Sequence, residues 1–204
     1  MSIRNIVFDV GDVLVDFCYK NYMRNLGFDE ETVELFTQKM IMSSHWGELD
    51  LGLINRETAK GIFKNEILGH DEDIDRFWDN IEYIVEEYDY AEELIRSIKY
   101  AGYKVYIISN YPVELSEMHW PKFRFLKYAD GKLISGFEKI AKPDVRIYKR
   151  LEEKYGVKLK ECLFVDDRQA NIDGAKEAGM KAVLFENLEK LKDDLGRYIN
   201  YDCD

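Results

Sequence analysis

The sequence predicts an α/β protein: a parallel sheet with helices on both faces, interrupted after its first strand by a helical block. Three observations carry this. Short apolar runs recur at 6–8, 105–109, 162–166 and 182–185. Each is too short for a helical core and rich in β-branched or aromatic residues, as strands buried on both faces are. Helical stretches separate the last three, and strand alternating with helix puts helices on both sides of a sheet. From 17 to about 88, by contrast, helical patterns follow one another without a strand pattern. The chain is therefore expected to divide into a core of residues 1–16 and 89–204 and an inserted helical cap of residues 17–88.

The first run, IVF, ends at Asp9 within VFDVGDVLVDF. The inserted block reads as YKNYMRNLG, ETVELFTQKMIM, NRETAKGIFKNEILG and IDRFWDNIEYIVEEY, with Asp29 and Asn55 as N-caps. SSHWGELDLG, residues 43–52, reads as a loop carrying a His-Trp pair and two acids. YAEELIRSIKYAG places Ala91, Leu94, Ile95 and Ile98 on one face and stops at Gly102. VYIIS ends at Ser109-Asn110, a pair that also suits a helix N-cap ahead of PVELSEMHW. In AKPDVRIYKRLEEKYG, Lys142 stands just before a helix expected to begin at Pro143 and to stop at Gly156. CLFVD ends at Asp166-Asp167, and the helix after it stops at Gly179.

The totals narrow the classes of partner. Of the 204 residues, 46% are hydrophobic and 34% charged, so a packed core is feasible and global disorder is not expected. A net charge of −11 repels phosphate backbones and anionic bilayers, so neither nucleic acid nor membrane is an expected partner. No apolar run approaches a membrane span, and the first residues show no signal-peptide pattern. Cys18, Cys162 and Cys203 are an odd, scattered set without CxxC, which fits a reducing cytoplasm rather than a disulfide framework.

Ligands of open parallel sheets bind beyond the carboxyl ends of the strands. Asp9, Ser109-Asn110, Lys142 and Asp166-Asp167 all fall there. Clustered carboxylates repel unless a cation sits among them, and hard oxygen ligands suit magnesium. Asp9 with one or both of Asp166 and Asp167 is the expected ligand set, with Asp167 preferred over Asp166. A hydroxyl and backbone N–H groups at a strand-to-helix turn suit phosphate oxygens, and Lys142 adds the charge a phosphoryl group needs. A carboxylate beside a metal and a phosphate is a candidate nucleophile.

In this order the motifs resemble the haloacid dehalogenase-like hydrolases: Asp9 in FDVGDVL, Ser109 in IISN, Lys142 in AKPD and Asp166-Asp167 in FVDDRQANIDGAKEAG. The resemblance implies a Rossmann-like core with a helical cap, Asp9 as nucleophile, and Ser109, Asn110 and Lys142 on the phosphoryl group. It also implies Mg2+ on Asp9, the main-chain carbonyl of Gly11 and the acidic pair. The branch most similar has a glycine-bearing first motif and includes sugar-phosphate phosphatases.

The departure is Gly11. Most phosphatases of this family carry an aspartate there, which protonates the leaving group and then activates water. Such a group contributes about 10²–10⁴-fold in rate. A proton from water or a cap residue, or from Asp12, would repair the loss, and Asp12 is the poorer choice because adjacent side chains point in different directions. A haloacid dehalogenase also lacks the second aspartate, but typically lacks the acidic pair too. A silent relative that binds a phosphorylated ligand or a protein is a third reading. In the cap, His45, Trp46 and Glu48 are candidates for choosing the substrate, against the plainer reading of a core tryptophan with solvated neighbours. The expectation is a magnesium-dependent phosphomonoesterase acting through an aspartyl phosphate on a small phosphorylated metabolite, such as a sugar phosphate.

Overall fold

A computed structural model describes residues 2–200, so Cys203 lies outside the described residues. Strand β1 (Asn5–Phe8) is buried throughout and central. The sheet runs β5-β4-β1-β6-β7, with β4 at Lys104–Ser109, β5 at Gly131–Ile134, β6 at Cys162–Asp166 and β7 at Lys181–Leu184. Every pairing in it is parallel. Phe8 is level with Ile107 of β4 and Val165 of β6, so the next residue along the chain, Asp9, emerges between the ends of these two strands.

Successive residues of a strand face opposite sides, and the core divides accordingly. Ile6, Phe8, Ile107 and Val165 join one apolar cluster; Val7, Ile108 and Phe164 join another. Leu94, Ile95 and Ile98 of α6 (Ala91–Tyr100) and Leu191 and Leu195 of α11 (Leu188–Tyr198) cover the first face. Ile147, Tyr148 and Leu151 of α9 (Val145–Tyr155) and Ile172 and Ala175 of α10 (Gln169–Glu177) cover the second. Helices thus lie on both faces. Helix α9 stops at Gly156, whose φ of 66° is left-handed.

Between β1 and α6 run α1 (Tyr19–Asn25), α2 (Glu30–Phe36), α3 (Ser44–Asp50), α4 (Arg56–Glu66) and α5 (Asp71–Asp79). Asp29 and Asn55 are N-caps as expected, accepting from the N–H groups of Thr32 and Thr58 at 2.8 Å. These helices close around stacked rings: Trp78 lies against Trp46 (5.9 Å between centroids) and Phe63 (6.4 Å).

Four sequence expectations are corrected. Residues 43–52 are largely helix, not loop: Ser43 caps α3 by accepting from the Trp46 N–H. A strand does occur late in the helical block. Glu86–Glu87 (β3) pairs antiparallel with Val15–Asp16 (β2), two residues a side, too short for any periodicity to reveal. Helix α9 begins at Val145, capped by Asp144, so Pro143 lies outside it after a cis peptide bond from Lys142. Ser109 and Asn110 cap no helix, because α7 (Val113–His119) follows Pro112. The sequence also shows no sign of β5, an edge strand in which only Leu133 and Ile134 are buried.

His119 ties the helical block to the sheet domain. Its Nε2–H donates to the Ile81 carbonyl (3.1 Å), which leaves Nδ1 to accept from the Tyr111 hydroxyl (2.6 Å). That arrangement needs a neutral ring, and burial lowers the His119 pKa to about 4. Unfolded, the ring binds a proton from about pH 6.5, so the unfolded state holds more protons between the two values. Stability contributed by His119 should therefore fall as pH drops from about 6.5 to about 4, at up to about 1.4 kcal/mol per pH unit. Denaturant unfolding across that window should show His119→Gln with a shallower loss than the unsubstituted protein.

Candidate active site

The sheet order brings the ends of β4, β1 and β6 side by side, and the loop before α9 adds Lys142 beneath them. The Lys142 Nζ lies 2.7 Å from Asp9 Oδ1 and 2.7 Å from Asp166 Oδ2, with its side chain only 1% exposed. An ammonium buried this deeply needs its charge matched within contact distance. Burial works against the charge on Lys142, but Asp9 and Asp166 outweigh it and the net pKa direction is upward. Burial also pushes the Asp9 carboxyl up; Lys142 pulls it back and Asp166 adds repulsion.

Two asparagines hold this arrangement. Asn110 accepts from the Lys142 N–H (2.8 Å) and donates to the Lys142 carbonyl (3.0 Å), so its amide clamps the backbone of one residue on both sides. Asn171 of α10 donates to both oxygens of Asp166, at 2.9 and 3.0 Å, and the Arg168 N–H donates to Oδ1 at 2.9 Å. With Lys142 added, Asp166 is saturated. Neither asparagine's clamping role was read from the sequence. The weak signal for Asn171 is its place five residues after Asp166, at the start of a helix facing back to the strand end.

Asp167 differs from its neighbour. It is half-buried, and its carboxylate takes no hydrogen bond or ion pair from any other described residue. Burial raises it to about 6, with repulsion from Asp166 and Asp12 adding to the rise. Asp9, Asp166 and Asp167 each bring one carboxylate oxygen within 4.8 Å of the others. When all are ionised, three carboxylates face one ammonium, and two negative charges stay unmatched. A divalent cation bound by hard oxygens fits that balance and that donor set. The Ser109 hydroxyl, buried at the end of β4, also makes no hydrogen bond among the described residues and is available to a ligand.

At Gly11 an added Cβ would meet nothing within 4 Å, and the residue is not left-handed. The left-handed residue of the turn is Asp12 (φ 54°), whose Oδ1 accepts from the Phe17 N–H at 3.1 Å. Of the cap candidates, His45 Nδ1 meets Glu48 at 2.9 Å and its Nε2 meets Glu66 of α4 at 3.3 Å, while Trp46 is buried against Trp78. The residue of this segment whose charge is felt by the site is Asp50, at the end of α3. A cavity of about 670 Å³ lined by Trp120, Lys132, Phe137 and Tyr155 holds none of the strand-end groups.

Fold and site together define a parallel α/β protein with an acid–lysine cluster at the strand ends. A family model described as haloacid dehalogenase-like hydrolase matches residues 3–179, and the chain belongs to that family. It is similar to a flavin mononucleotide hydrolase of Arabidopsis thaliana, 27% identical over 192 residues, covering 93% of this chain and 75% of the other. Among solved structures, an enzyme of the family from Bacteroides thetaiotaomicron in complex with magnesium and inorganic phosphate has the same fold. Its TM-score is 0.71 at 22% identity, over 93% of this chain and 99% of the other. A dehalogenase solved with an intermediate complex matches with a TM-score of 0.72 at 25% identity, over 91% and 85%. No helix among the described residues is long and apolar enough to cross a membrane.

Helix α10 presses directly on the segment that carries Lys142. A Cβ at Gly174 would lie 2.3 Å from the Pro143 carbonyl oxygen, whereas one at Gly196 would meet nothing. Gly174→Ala should destabilise the protein by about 1–3 kcal/mol through overpacking. Gly196→Ala should leave stability unchanged or slightly raised. Thermal unfolding of the two variants checks the contrast.

Proposed function

We propose that this protein is a magnesium-dependent phosphomonoesterase acting on a small phosphorylated metabolite, such as a sugar phosphate, in a reducing cytoplasm. The observation that carries it is Asp167: a carboxylate beside Asp9 that no other described residue bonds, in a cluster that is two positive charges short of balance when ionised. Asp9, the Gly11 carbonyl and Asp167 are the groups that would hold the ion, with Asp166 occupied chiefly in orienting Lys142. Bound there, magnesium supplies positive charge that keeps Asp9 ionised and offsets the charge of a phosphoryl group.

The chain's own residues then have separable tasks. Asp9 attacks phosphorus in line with the departing oxygen and becomes an aspartyl phosphate. The Ser109 hydroxyl, the Asn110 N–H and the Lys142 ammonium hold the phosphoryl oxygens as charge redistributes among them. Water hydrolyses the aspartyl phosphate and returns Asp9. The helical block of residues 17–88 serves as a cap that shields the reaction and presents specificity groups, His45, Trp46 and Glu48 among the candidates. A metal-free haloacid dehalogenase is less well supported. Without a cation, the ionised cluster would carry two unmatched negative charges and repel the carboxylate of a haloacid.

Turnover of a phosphate-ester panel with and without magnesium is the test. We expect hydrolysis with the ion and its loss on chelation. Asp9→Asn should lower kcat by roughly 10⁴-fold or more, and Ser109→Ala by about 10²-fold. Activity undiminished in Asp9→Asn, or no ester turned over by the unsubstituted protein, defeats the proposal.

A further inference from the structure

Resting on the phosphomonoesterase reading, the geometry points to Asp50 as the proton carrier that Gly11 lacks. Asp50 ends α3, and that end is fixed onto the strand-end edge of the sheet. The Ser135 hydroxyl donates to the Asp50 carbonyl at 2.5 Å while accepting from the Tyr111 N–H at 2.9 Å, and Tyr111 follows Asn110 directly. Two residues on, the Gly52 carbonyl accepts from Lys139 Nζ. The backbones pack so closely here that a Cβ on Gly52 would lie 2.6 Å from the Gly136 carbonyl. The main chain of Asp50 is therefore held at a defined place over the strand ends.

From that main-chain position the carboxylate lies within electrostatic reach of the site: it senses the positive charges of Arg168 and Lys142, and its own negative charge reaches the Tyr111 hydroxyl. Lys142 stands beside the β1 and β6 ends, Arg168 follows Asp167, and Tyr111 follows β4. The three groups come from separate parts of the chain and converge on one carboxylate. Its nearest acid on the same helix, Glu48, is paired with His45. The Asp50 carboxylate accepts no hydrogen bond and makes no ion pair among the described residues, so that group is unspent.

Its protonation suits the task. Burial, opposed by Arg168 and Lys142, raises the Asp50 carboxyl to about 7, although solvent still reaches the residue. The negative end of the α3 backbone dipole acts in the same direction. An acid near 7 is matched to general acid–base work at neutral pH.

The two half-reactions balance. As Asp9 Oδ bonds to phosphorus, the bond from phosphorus to the ester oxygen breaks, and that oxygen takes the Asp50 proton and leaves as an alcohol. Asp50, now a carboxylate, takes a proton from water as the water oxygen attacks the same phosphorus. The bond from phosphorus to Asp9 breaks, inorganic phosphate departs, and Asp50 is again protonated. Asp12 is the poorer carrier because its carboxylate is held by the Phe17 N–H.

A leaving-group comparison tests this. Asp50→Asn keeps the side chain's size, so the fold is retained and thermal unfolding verifies it. The probes are p-nitrophenyl phosphate, whose anion departs without a proton, and the alkyl phosphate that the unsubstituted protein hydrolyses fastest. With magnesium, kcat on the alkyl ester should fall by about 10²–10⁴-fold, while the aryl ester loses less than roughly tenfold. The decline of alkyl-ester kcat above about pH 7 should disappear in the variant. Equal losses on the two esters, or no loss on either, overturn the assignment while leaving the phosphomonoesterase reading standing. If the unsubstituted protein hydrolyses neither ester, that reading falls and the assignment falls with it.

Discussion

The rest of the site depends on one buried ammonium. Lys142 touches Asp9 and Asp166 at equal distances and is all but inaccessible to water. Remove that charge and two buried carboxylates confront each other, an arrangement that costs several kcal/mol when one partner of a buried pair is lost. Most surrounding features serve to keep the ammonium where it is. Asn110 grips its peptide, Asn171 fixes one of its acids, and the bare face of Gly174 lets α10 lie against the following proline. The strand order supplies the remainder, since only adjacent β1 and β6 set Asp9 and Asp166 close enough to share one cation.

Saturation of Asp166 and the open valence of Asp167 divide a pair of acids that looks equivalent in sequence. Asp166 accepts from three residues and has little capacity left. Asp167 is bonded by no other described residue, and burial with repulsion from Asp166 and Asp12 raises its pKa, so its carboxylate is open where that of Asp166 is filled. Adjacent residues on an extended chain point to opposite sides, so one turns into the protein and the other toward the cleft.

Much of this was legible in the sequence, for physical reasons that can be named. A strand buried on both faces is apolar along most of its length, so β1, β4 and β6 announced themselves, and their ends announced the acids and the serine; the run AVLF marked β7 although it lies at the sheet edge. Strand β5, at the other edge, has only Leu133 and Ile134 buried, too short a run to mark it. The β2–β3 pair is two residues long and shows no period. Segment 43–52 reads as a loop because a seven-residue helix with Gly47 inside it has little propensity of its own; Ser43 and the stacking of Trp46 on Trp78 hold it. Asp50 was hidden for the same reason. Its main-chain position is set by Ser135 and Lys139, 85 and 87 residues away along the chain from the carbonyls they bond.

The short ribbon of β2 and β3 joins the two crossings between sheet and helical block, where the chain leaves after Asp16 and returns before α6. Two crossings fastened together would act as one pivot were the block to swing. Such a swing would break the bonds from Ser135 and Lys139, the contacts that hold the Asp50 main chain over the strand ends. Admission of substrate and possession of the proton donor would then be mutually exclusive. With the block swung away, the cluster would retain its nucleophile but have no acid to finish the reaction, and a phosphoryl group would be committed only after the gate had shut.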